Sequence, residues 1–274
     1  MANELINTIT QGDCLEVMKR IPGDSIDLTV TSPPYDNLRT YNGFEWDFEG
    51  VAKELYRVTK EGGVVVWVVG DETKDFAESL SSFRQAMYFV ECCGFKLLDT
   101  MIYEKSNYAP AYPSMRRYAQ TFEYMFVLVK GKRPGTFNPV QIKKAQATIE
   151  RQRNSKGYSF RQADGTLRRA EIKNERTTKD ASNVWKYSTG AGNSSTDKIA
   201  FKHPAIFPEK LAENHIFSWS NPGDVVLDPF VGSGTTAKMA VLNDRKYVGI
   251  DISEEYVEIA RRRIDEAYKT KGSR

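Results

Sequence analysis

The sequence predicts an α/β protein built on a doubly wound, mostly parallel β-sheet. Strand-like and helix-like segments alternate through the first 130 of the 274 residues, the pattern of parallel strands joined by helices. The run VVVWVV at 64–69 has the length of a strand and is apolar at every position, as in a parallel strand covered on both faces. Near the other end, at 225–243, a strand, a glycine-rich turn and a helix follow one another.

Each predicted element depends on a local pattern. In the first part of the chain, helices are expected at 48–59 and at 76–93, the second ending at Gly94, and strands at 26–31, 64–69, 95–103 and 124–129. In the last part, helices are expected at 209–214, 234–243 and 253–267, and strands at 225–228 and 247–252. Glu254 and Glu255 suit the first turn of the last helix.

The chain from about 131 to 200 interrupts this alternation and is strongly basic. Between Lys130 and Asp180 there are 14 Lys and Arg against five Asp and Glu, a difference of +9 in a chain of net charge +3. Such a segment is either a solvated loop or a nucleic-acid-binding patch. We therefore expect one half of an α/β domain at 1–130, an inserted basic region at 131–200, and the other half of the domain at 201–274.

Composition narrows the class of protein. No apolar run approaches the roughly 18–20 residues of a membrane helix, and the N-terminus lacks a basic segment followed by an apolar one. The three cysteines, Cys14, Cys92 and Cys93, form no disulfide framework. With two histidines and no Cys-x-x-Cys, a structural zinc site is not expected. These features indicate a protein of the reducing cytoplasm without a membrane segment or a bound metal.

The turn GSGTTA at 232–237 predicts a nucleoside cofactor. Its glycines let the backbone approach a ligand, and the following helix N-terminus offers free amides. Asp251 ends the next strand, 19 positions after Gly232, where a carboxylate can accept hydrogen bonds from ribose hydroxyls. The alternative is a tight turn that only packs a helix on a strand.

The position of this turn predicts a circularly permuted domain. Fewer than 40 residues follow Ala237, so the N-terminal half of the chain must supply the rest of the sheet. The strand at 26–31 belongs to that half and runs directly into a stiff Ser-Pro-Pro-Tyr turn at 32–35. We expect both strand ends to meet at the carboxyl edge of one sheet, where such folds bind ligands.

TSPPY at 31–35, a basic middle, and DPFVGSGTT at 228–236, in that order, resemble the beta class of S-adenosylmethionine-dependent amino-methyltransferases of DNA. The resemblance covers roughly residues 8–130 and 200–267 and implies a Rossmann-like fold. GDCLEVM at 12–18 and KHPAIFPEKL at 202–211 stand where that family has segments that contact the cofactor.

The resemblance implies S-adenosylmethionine as cofactor, double-stranded DNA as partner, and target recognition by residues 131–200. Ser32 and the Pro33 carbonyl would accept hydrogen bonds from the target amine, and Tyr35 would stack on a flipped-out base. The catalytic residues it implies are Ser32, Pro33, Pro34 and Tyr35. The cofactor-binding residues it implies are Asp13, Cys14, Asp228, Phe230, Gly232, Gly234, Thr235 and Asp251. Transfer would be direct, because none of the cysteines has the preceding proline typical of methylation at a ring carbon.

Several alternatives remain open from the sequence. Ser before Pro-Pro is more usual in cytosine-N4 enzymes than in adenine-N6 enzymes, so we expect cytosine-N4, with adenine-N6 as the alternative. Methylation of RNA or protein is more remote, because families with that activity place the cofactor turn before the Pro-Pro motif and lack such a basic insertion. An inactive DNA-binding relative is also more remote, because the SPPY and glycine turns are both intact. The resemblance also allows a homodimer and a separately encoded cognate restriction enzyme.

Overall fold

The computed structural model describes residues 4–34, 46–108, 116–146, 148–150, 157–170, 177–190 and 192–272. The strands, in chain order, are β1 (Thr8–Gln11), β2 (Ile26–Thr31), β3 (Thr59–Val69), β4 (Thr73–Lys74), β5 (Ala77–Glu78), β6 (Lys96–Lys105), β7 (Phe122–Val129), β8 (Gln141–Lys143), β9 (Tyr158–Arg161), β10 (Leu167–Ala170), β11 (Thr178–Asp180), β12 (Val184–Tyr187), β13 (Val225–Asp228) and β14 (Lys246–Asp251). The α-helices are α1 (Cys14–Met18), α2 (Phe48–Val58), α3 (Ser81–Tyr88), α4 (Glu209–Trp219), α5 (Thr235–Leu242) and α6 (Glu254–Gly272). A π-helix at Phe89–Cys93 continues α3 up to Gly94, and a 3₁₀ helix spans Lys198–Lys202.

The main sheet has eight strands in the order β1-β14-β13-β2-β3-β7-β6-β12. Five of its neighbouring pairs are parallel. Only β7 runs against its two neighbours, β3 and β6. The predicted mostly parallel α/β sheet is therefore confirmed.

Helices cover both faces of this sheet, as a doubly wound fold requires. One core cluster includes residues of α4, α5 and α6, among them Leu211, Ala240 and Ile264. The cluster on the opposite face includes residues of α1 and α2, among them Val17 and Leu55.

The apolar run in β3 follows from burial on both faces. Val64, Val66 and Val68 belong to the first cluster, whereas Val65, Trp67 and Val69 belong to the second. Successive side chains of a strand point to opposite faces, so a central strand between two helical layers needs apolar residues at every position.

The order of strands creates a crevice between β13 and β2. From β13 the chain proceeds through α5 to β14, and from β2 it proceeds through α2 to β3. Because α5 contributes to the first core cluster and α2 to the second, the two connections leave the sheet on opposite faces. Such a switch point opens a ligand crevice at the carboxyl ends of the strands, here next to Ser32 and Pro229.

The predicted helix at 76–93 is wrong for its first residues. Asp75 and Phe76, at φ 51° and 65°, form the turn of the β4–β5 hairpin, and α3 begins only at Ser81. The Asp71 carboxylate accepts hydrogen bonds from the Ser82 amide at 2.9 Å and the Ser82 hydroxyl at 2.5 Å. This carboxylate satisfies an amide at the start of α3 and so fixes where the helix begins.

The structure has two compact units, and the smaller one contains fewer residues than the basic region expected at 131–200. One compact unit comprises Met1–Asn138 and Asn183–Arg274, and the other comprises Pro139–Ser182. The expectation that all of 131–200 is inserted between the two halves of the α/β domain is wrong for β12, which belongs to the main sheet and pairs in parallel with β6. Trp185 and Tyr187 of β12 pack against the first core cluster, and their spacing of two residues is the signal that sequence reasoning overlooked.

The unit Pro139–Ser182 consists of short antiparallel pairs. β8 pairs with β11, and β9 pairs with β10. Its described side chains are largely exposed, including the apolar Leu167 at 69% and the neighbouring Arg168 and Arg169. Across both units, the part of the chain that the structure describes contains no helix with the length and hydropathy of a membrane span.

Candidate active site

A cleft of about 490 Å³ opens at the carboxyl edge of the main sheet. It brings together most of the residues that the sequence singled out, although they are separated by up to 238 positions in the chain. Those that line it are Asp13, Cys14, Ser32, Pro34, Phe230, Gly232, Thr235 and Asp251. Among the described residues, Pro33, Asp228 and Gly234 do not contribute to the lining, and Tyr35 lies outside the described residues.

The end of β2 is fixed from the neighbouring strand and helix. The Thr31 hydroxyl donates to Asp228 Oδ1 at 2.6 Å, and the Thr236 hydroxyl donates to the Val30 carbonyl at 3.0 Å. Ser32 is the next residue and lines the cleft. The SPP turn therefore starts from a backbone that the glycine-turn half of the chain holds in place.

Gly232 sits under a histidine ring in the wall of the cleft. It has φ 48°, and a Cβ added there would lie 2.9 Å from His203 Nε2. The ring of His203 also contacts Tyr256 edge-on, with 4.3 Å between centroids. Only a glycine leaves room for this close packing.

Position 234 requires glycine because of helix packing and not because of the cleft. It has φ 84°, and a Cβ there would lie 2.9 Å from the Cα of Ala260 in α6. The missing side chain lets α5 begin directly against α6. Its predicted contact with a cofactor stays a prediction.

Asp251 joins the glycine turn to the start of α6. Its Oδ2 accepts from the Gly232 amide at 2.9 Å, and its Oδ1 accepts from the Ser253 amide at 2.9 Å. Burial raises the pKa of this carboxyl, although the two amides act in the opposite direction. Each oxygen of a carboxylate has two lone pairs, so the group can still accept a hydrogen bond from a ligand in the cleft.

Asp13 and Cys14 reach the cleft at the start of α1. Asp13 caps this helix by accepting from the Leu15 amide at 2.9 Å and the Glu16 amide at 3.1 Å. The Cys14 side chain is buried, and burial together with the Asp13 charge raises the pKa of its thiol to about 12. At neutral pH this cysteine is a thiol and a poor nucleophile.

Aromatic rings form one wall of the cleft. Phe230 contacts Trp46 with 4.9 Å between ring centroids and Trp67 with 6.4 Å. Trp46 lines the cleft beside Phe230, and sequence reasoning missed it because a single tryptophan before a helix carries no motif. Such a wall can pack against the flat face of a heterocycle.

A buried ionic cluster holds the remaining wall in position. Arg263, 1% exposed, donates to Asp197 Oδ2 at 2.9 Å and to Glu209 Oε1 at 2.5 Å. Lys238 bonds the same two carboxylates at 2.8 Å each. Arg263 Nη1 also donates to the Ser233 carbonyl at 2.6 Å. The cluster thereby ties the glycine turn to the segments at 197 and 209 that flank the wall residues Phe201, His203 and Phe207.

The opposite side of the cleft carries polar residues that sequence reasoning missed. Tyr103, Lys105 and Glu123 line the cleft from the ends of β6 and β7. A polar residue at the carboxyl-edge end of a predicted strand is a general signal for a site, but none of the three belongs to a recognisable motif. Among the described residues, no group of three or more His, Cys, Asp and Glu side chains could hold a metal ion.

Asp228 is a buried carboxyl with an unusual pKa. It is 2% exposed and accepts from the Thr31 hydroxyl and, at 3.1 Å, from the Phe230 amide. Burial raises its pKa from 3.8 to about 6, with the nearby Asp251 charge adding to the effect. It links β13 to β2 from behind the lining, and its predicted contact with a cofactor stays a prediction.

Replacing Asp228 by Asn should change how stability depends on pH. Between about pH 4 and pH 6 the folded wild type binds more protons than the unfolded chain, so its free energy of unfolding falls as pH rises. The fall should be about 1.4 kcal/mol per pH unit, about 3 kcal/mol in all. Asp228→Asn removes this titration, so urea unfolding from pH 4.5 to 7.5 should show the variant gaining stability relative to wild type.

Asp244→Asn is the matched control for this measurement. Asp244 is exposed, and its hydrogen bond with Lys271 lowers the pKa of its carboxyl. Its difference from wild type should therefore be flat above about pH 5. A flat difference for Asp228→Asn as well would contradict a raised pKa at Asp228.

Comparisons of the sequence and of the fold with known proteins all find DNA methyltransferases. The N6_N4_Mtase family, described as DNA methylase, matches residues 26–262. The orphan methyltransferase M.BamHII of Bacillus amyloliquefaciens is 56% identical over 251 residues, which cover 90% of this chain and 92% of that protein.

Solved structures share the fold. The PvuII DNA methyltransferase (cytosine-N4-specific) aligns with a TM-score of 0.68 and 23% identity, covering 95% of this chain and 90% of that one. The protein TTHA0409 of Thermus thermophilus, complexed with S-adenosyl-L-methionine, aligns with a TM-score of 0.57 and 26% identity, covering 95% of both chains.

Proposed function

The chain belongs to the DNA methylase family that matches residues 26–262, and we propose that it methylates an exocyclic base amine of double-stranded DNA in the cytoplasm. S-adenosylmethionine is the methyl donor of this family. The observation that carries the proposal is the cleft itself, because the SPP turn after β2 and the glycine turn after β13 line the same 490 Å³ space. A methyl donor and an acceptor amine must meet in such a space for transfer to occur.

The residues around the glycine turn fit S-adenosylmethionine. Gly232 lines the cleft beneath His203 without a side chain of its own, Asp251 can accept from ribose hydroxyls, and the Trp46–Phe230 wall can pack on adenine. When bound, the cofactor supplies an electrophilic methyl group on a sulfonium sulfur. The protein's part is to hold the amine in line with that methyl group and to keep water away.

Gly232→Asp should lower the affinity for S-adenosylmethionine at least about tenfold. The new side chain would have to adopt φ near 48° and displace His203 from a contact of 2.9 Å. Isothermal titration with the cofactor measures the effect. The matched control is Gly223→Asp, where φ is 91° but an added Cβ meets nothing within 4 Å. Equal affinity in the two variants would contradict the placement of the cofactor at Gly232.

Ser32 and Pro33 are proposed to activate the amine. An exocyclic amine is a weak nucleophile because its lone pair is delocalised into the ring. The Ser32 hydroxyl and the Pro33 carbonyl can accept its two protons, which favours a more tetrahedral nitrogen with its lone pair directed at the methyl group. Prolines at 33 and 34 have no N–H to donate, and Thr31 anchors the turn on Asp228. Pro34 and Tyr35 complete the proposed base site.

Direct transfer suits the cysteine chemistry of the cleft. Methylation at a ring carbon of cytosine requires a thiolate nucleophile. Cys14 also lines the cleft, but its thiol pKa is raised to about 12. We therefore infer that the methyl group passes to nitrogen without a covalent intermediate between enzyme and base.

Cytosine-N4 is the proposed target amine. Ser rather than Asp or Asn precedes the two prolines, which is more usual in cytosine-N4 enzymes. Adenine-N6 is the alternative, because the matching family covers both amines. The amine can reach Ser32 only if the base leaves the stack, so base flipping is part of the proposal.

The unit Pro139–Ser182 is proposed to recognise the target sequence. Its exposed Arg161, Arg168 and Arg169 suit contacts with phosphates and base edges. Arg151 and Arg153, which the sequence also favours for this role, lie outside the described residues. A homodimer and a separately encoded restriction enzyme stay predictions.

The proposed function is tested with S-adenosylmethionine that carries a tritiated methyl group. The full chain is incubated in parallel with unmethylated duplex DNA, with RNA and with a protein extract. Label should enter DNA, and added salt should slow its transfer because phosphate contacts release counterions. Label in RNA or protein but not in DNA would refute the proposal.

A further inference from the structure

Lys105 and Glu123 form an ion pair inside the cleft, on the side away from the glycine turn. Lys105 Nζ lies 2.6 Å from a carboxylate oxygen of Glu123, and the two side chains are 26% and 15% exposed. Both residues line the cleft together with Ser32. An ion pair so sheltered from water has a stronger field than one on the open surface.

The pair projects from the same face of the sheet as Ser32. On each of the three strands, the residues two and four positions away from the cleft residue belong to the first core cluster. They precede Ser32 on β2, follow Glu123 on β7 and precede Lys105 on β6. These core residues are Leu28 and Val30 on β2, Met125 and Val127 on β7, and Met101 and Tyr103 on β6. Because strand side chains alternate between faces, Ser32, Glu123 and Lys105 share one side of the sheet.

The distance from β2 to β7 suits a single heterocycle. The two strands are separated only by β3, which amounts to two strand spacings, or about 10 Å. Hydrogen bonds of about 2.9 Å at each end leave space for one ring between them. A base that presents its amine to Ser32 would therefore place its next ring atoms near the ion pair.

Lys105 is held where it can act. Its amide donates to the Thr121 carbonyl at 2.7 Å, and the following Ser106 amide donates to the Tyr187 carbonyl at 2.9 Å. Asn107 and Thr189 exchange two further hydrogen bonds of 2.6 Å. The end of β6 is therefore fixed before any ligand binds, which lowers the entropic cost of recognition.

We propose that the Lys105–Glu123 pair selects cytosine as the target base. This inference rests on the proposed function and names its substrate. Beside its amine, cytosine carries two acceptors, N3 and the carbonyl O2, whereas adenine carries N1 followed by a C–H. The Lys105 ammonium has three N–H donors, of which Glu123 takes one. Glu123 aims the ammonium, and Lys105 donates to the O2 edge that adenine lacks.

Substitution at Lys105 tests this assignment. Single-turnover methylation of unmethylated plasmid DNA is followed by mass spectrometry of the nucleosides. Wild type should give N4-methylcytosine, and Lys105→Met should form it about 10- to 100-fold more slowly. Affinity for S-adenosylmethionine, measured by titration, should stay the same, and Lys105→Arg should recover part of the rate because it keeps the donors.

Lys186→Met is the matched control. Lys186 forms an ion pair with Glu104. Glu104 precedes Lys105 in β6 and therefore points to the opposite face of the sheet, so Lys186→Met should methylate at the wild-type rate. A wild-type rate for Lys105→Met would overturn the assignment, and so would an equal loss in Lys186→Met. So would weaker DNA binding at an unchanged rate, which would indicate a phosphate contact. N6-methyladenine from wild type would overturn the choice of cytosine, whereas the absence of any methylated nucleoside would overturn the proposed function itself.

Discussion

Ser32→Ala should lower the single-turnover rate of methyl transfer about 100- to 1000-fold, the usual effect of losing one preorganised hydrogen-bonding group at a reacting centre. Affinity for S-adenosylmethionine should be unchanged, because the cofactor is proposed to be held by the glycine turn and Asp251. The turn should also keep its position, since Thr31 still donates to Asp228. Transfer of labelled methyl to DNA and titration with the cofactor measure the two effects separately.

Thr29→Val is the control on the same strand. The Thr29 hydroxyl is buried, and within the described residues it has no hydrogen-bond partner. Its removal should leave the rate unchanged and should not destabilise the fold. A Ser32→Ala enzyme that is as fast as Thr29→Val would contradict the role given to Ser32.

Arg263→Met should destabilise the protein by about 3–5 kcal/mol, because removal of one partner leaves buried charge uncompensated. Asp197 and Glu209 would then share only Lys238, and the Ser233 carbonyl would lose its donor. Burial alone would raise the pKa of Asp197, but its bonds to Lys238 and Arg263 outweigh burial and lower it. Urea unfolding at pH 7.5 measures the loss.

The neighbouring Arg262 provides the comparison. Its side chain is 67% exposed and lies 3.5 Å from Glu258. An exposed pair of this kind contributes little, so Arg262→Met should change the free energy of unfolding by less than about 0.5 kcal/mol. Similar losses in both variants would mean that the buried cluster does not stabilise the wall of the cleft.

The sheet was largely predictable because its central strands are buried, with β3 apolar at every position from Val64 to Val69. β2, β3, β13 and β14 were expected within a few residues of their limits, apart from the extra residues at the start of β3. The edge strands β1 and β12 were not predicted, since an edge strand is short and only partly buried. Phe76 and Leu80 fit the apolar spacing of a helix, but Asp71 directs the start of α3 to Ser81.

The cleft was predictable only where its residues belong to motifs. Ser32 and Gly232 were expected together because parallel strands end at the same edge. Lys105 and Glu123 were not, because their partnership is created by the antiparallel pairing of β6 with β7. Asp228 belongs to a motif that suggested a ligand contact, but in the fold its side chain is buried against Thr31.

The identity of the methylated nucleoside is the most direct test of transfer to a base amine. Unmethylated duplex DNA is incubated with the protein and with S-adenosylmethionine carrying a heavy-isotope methyl group, digested, and analysed by mass spectrometry. We expect the label in N4-methylcytosine. Label in N6-methyladenine would contradict the choice of base but keep transfer to an amine. Label in 5-methylcytosine would contradict the central claim, because that product requires a cysteine nucleophile and not the acceptors at Ser32 and Pro33.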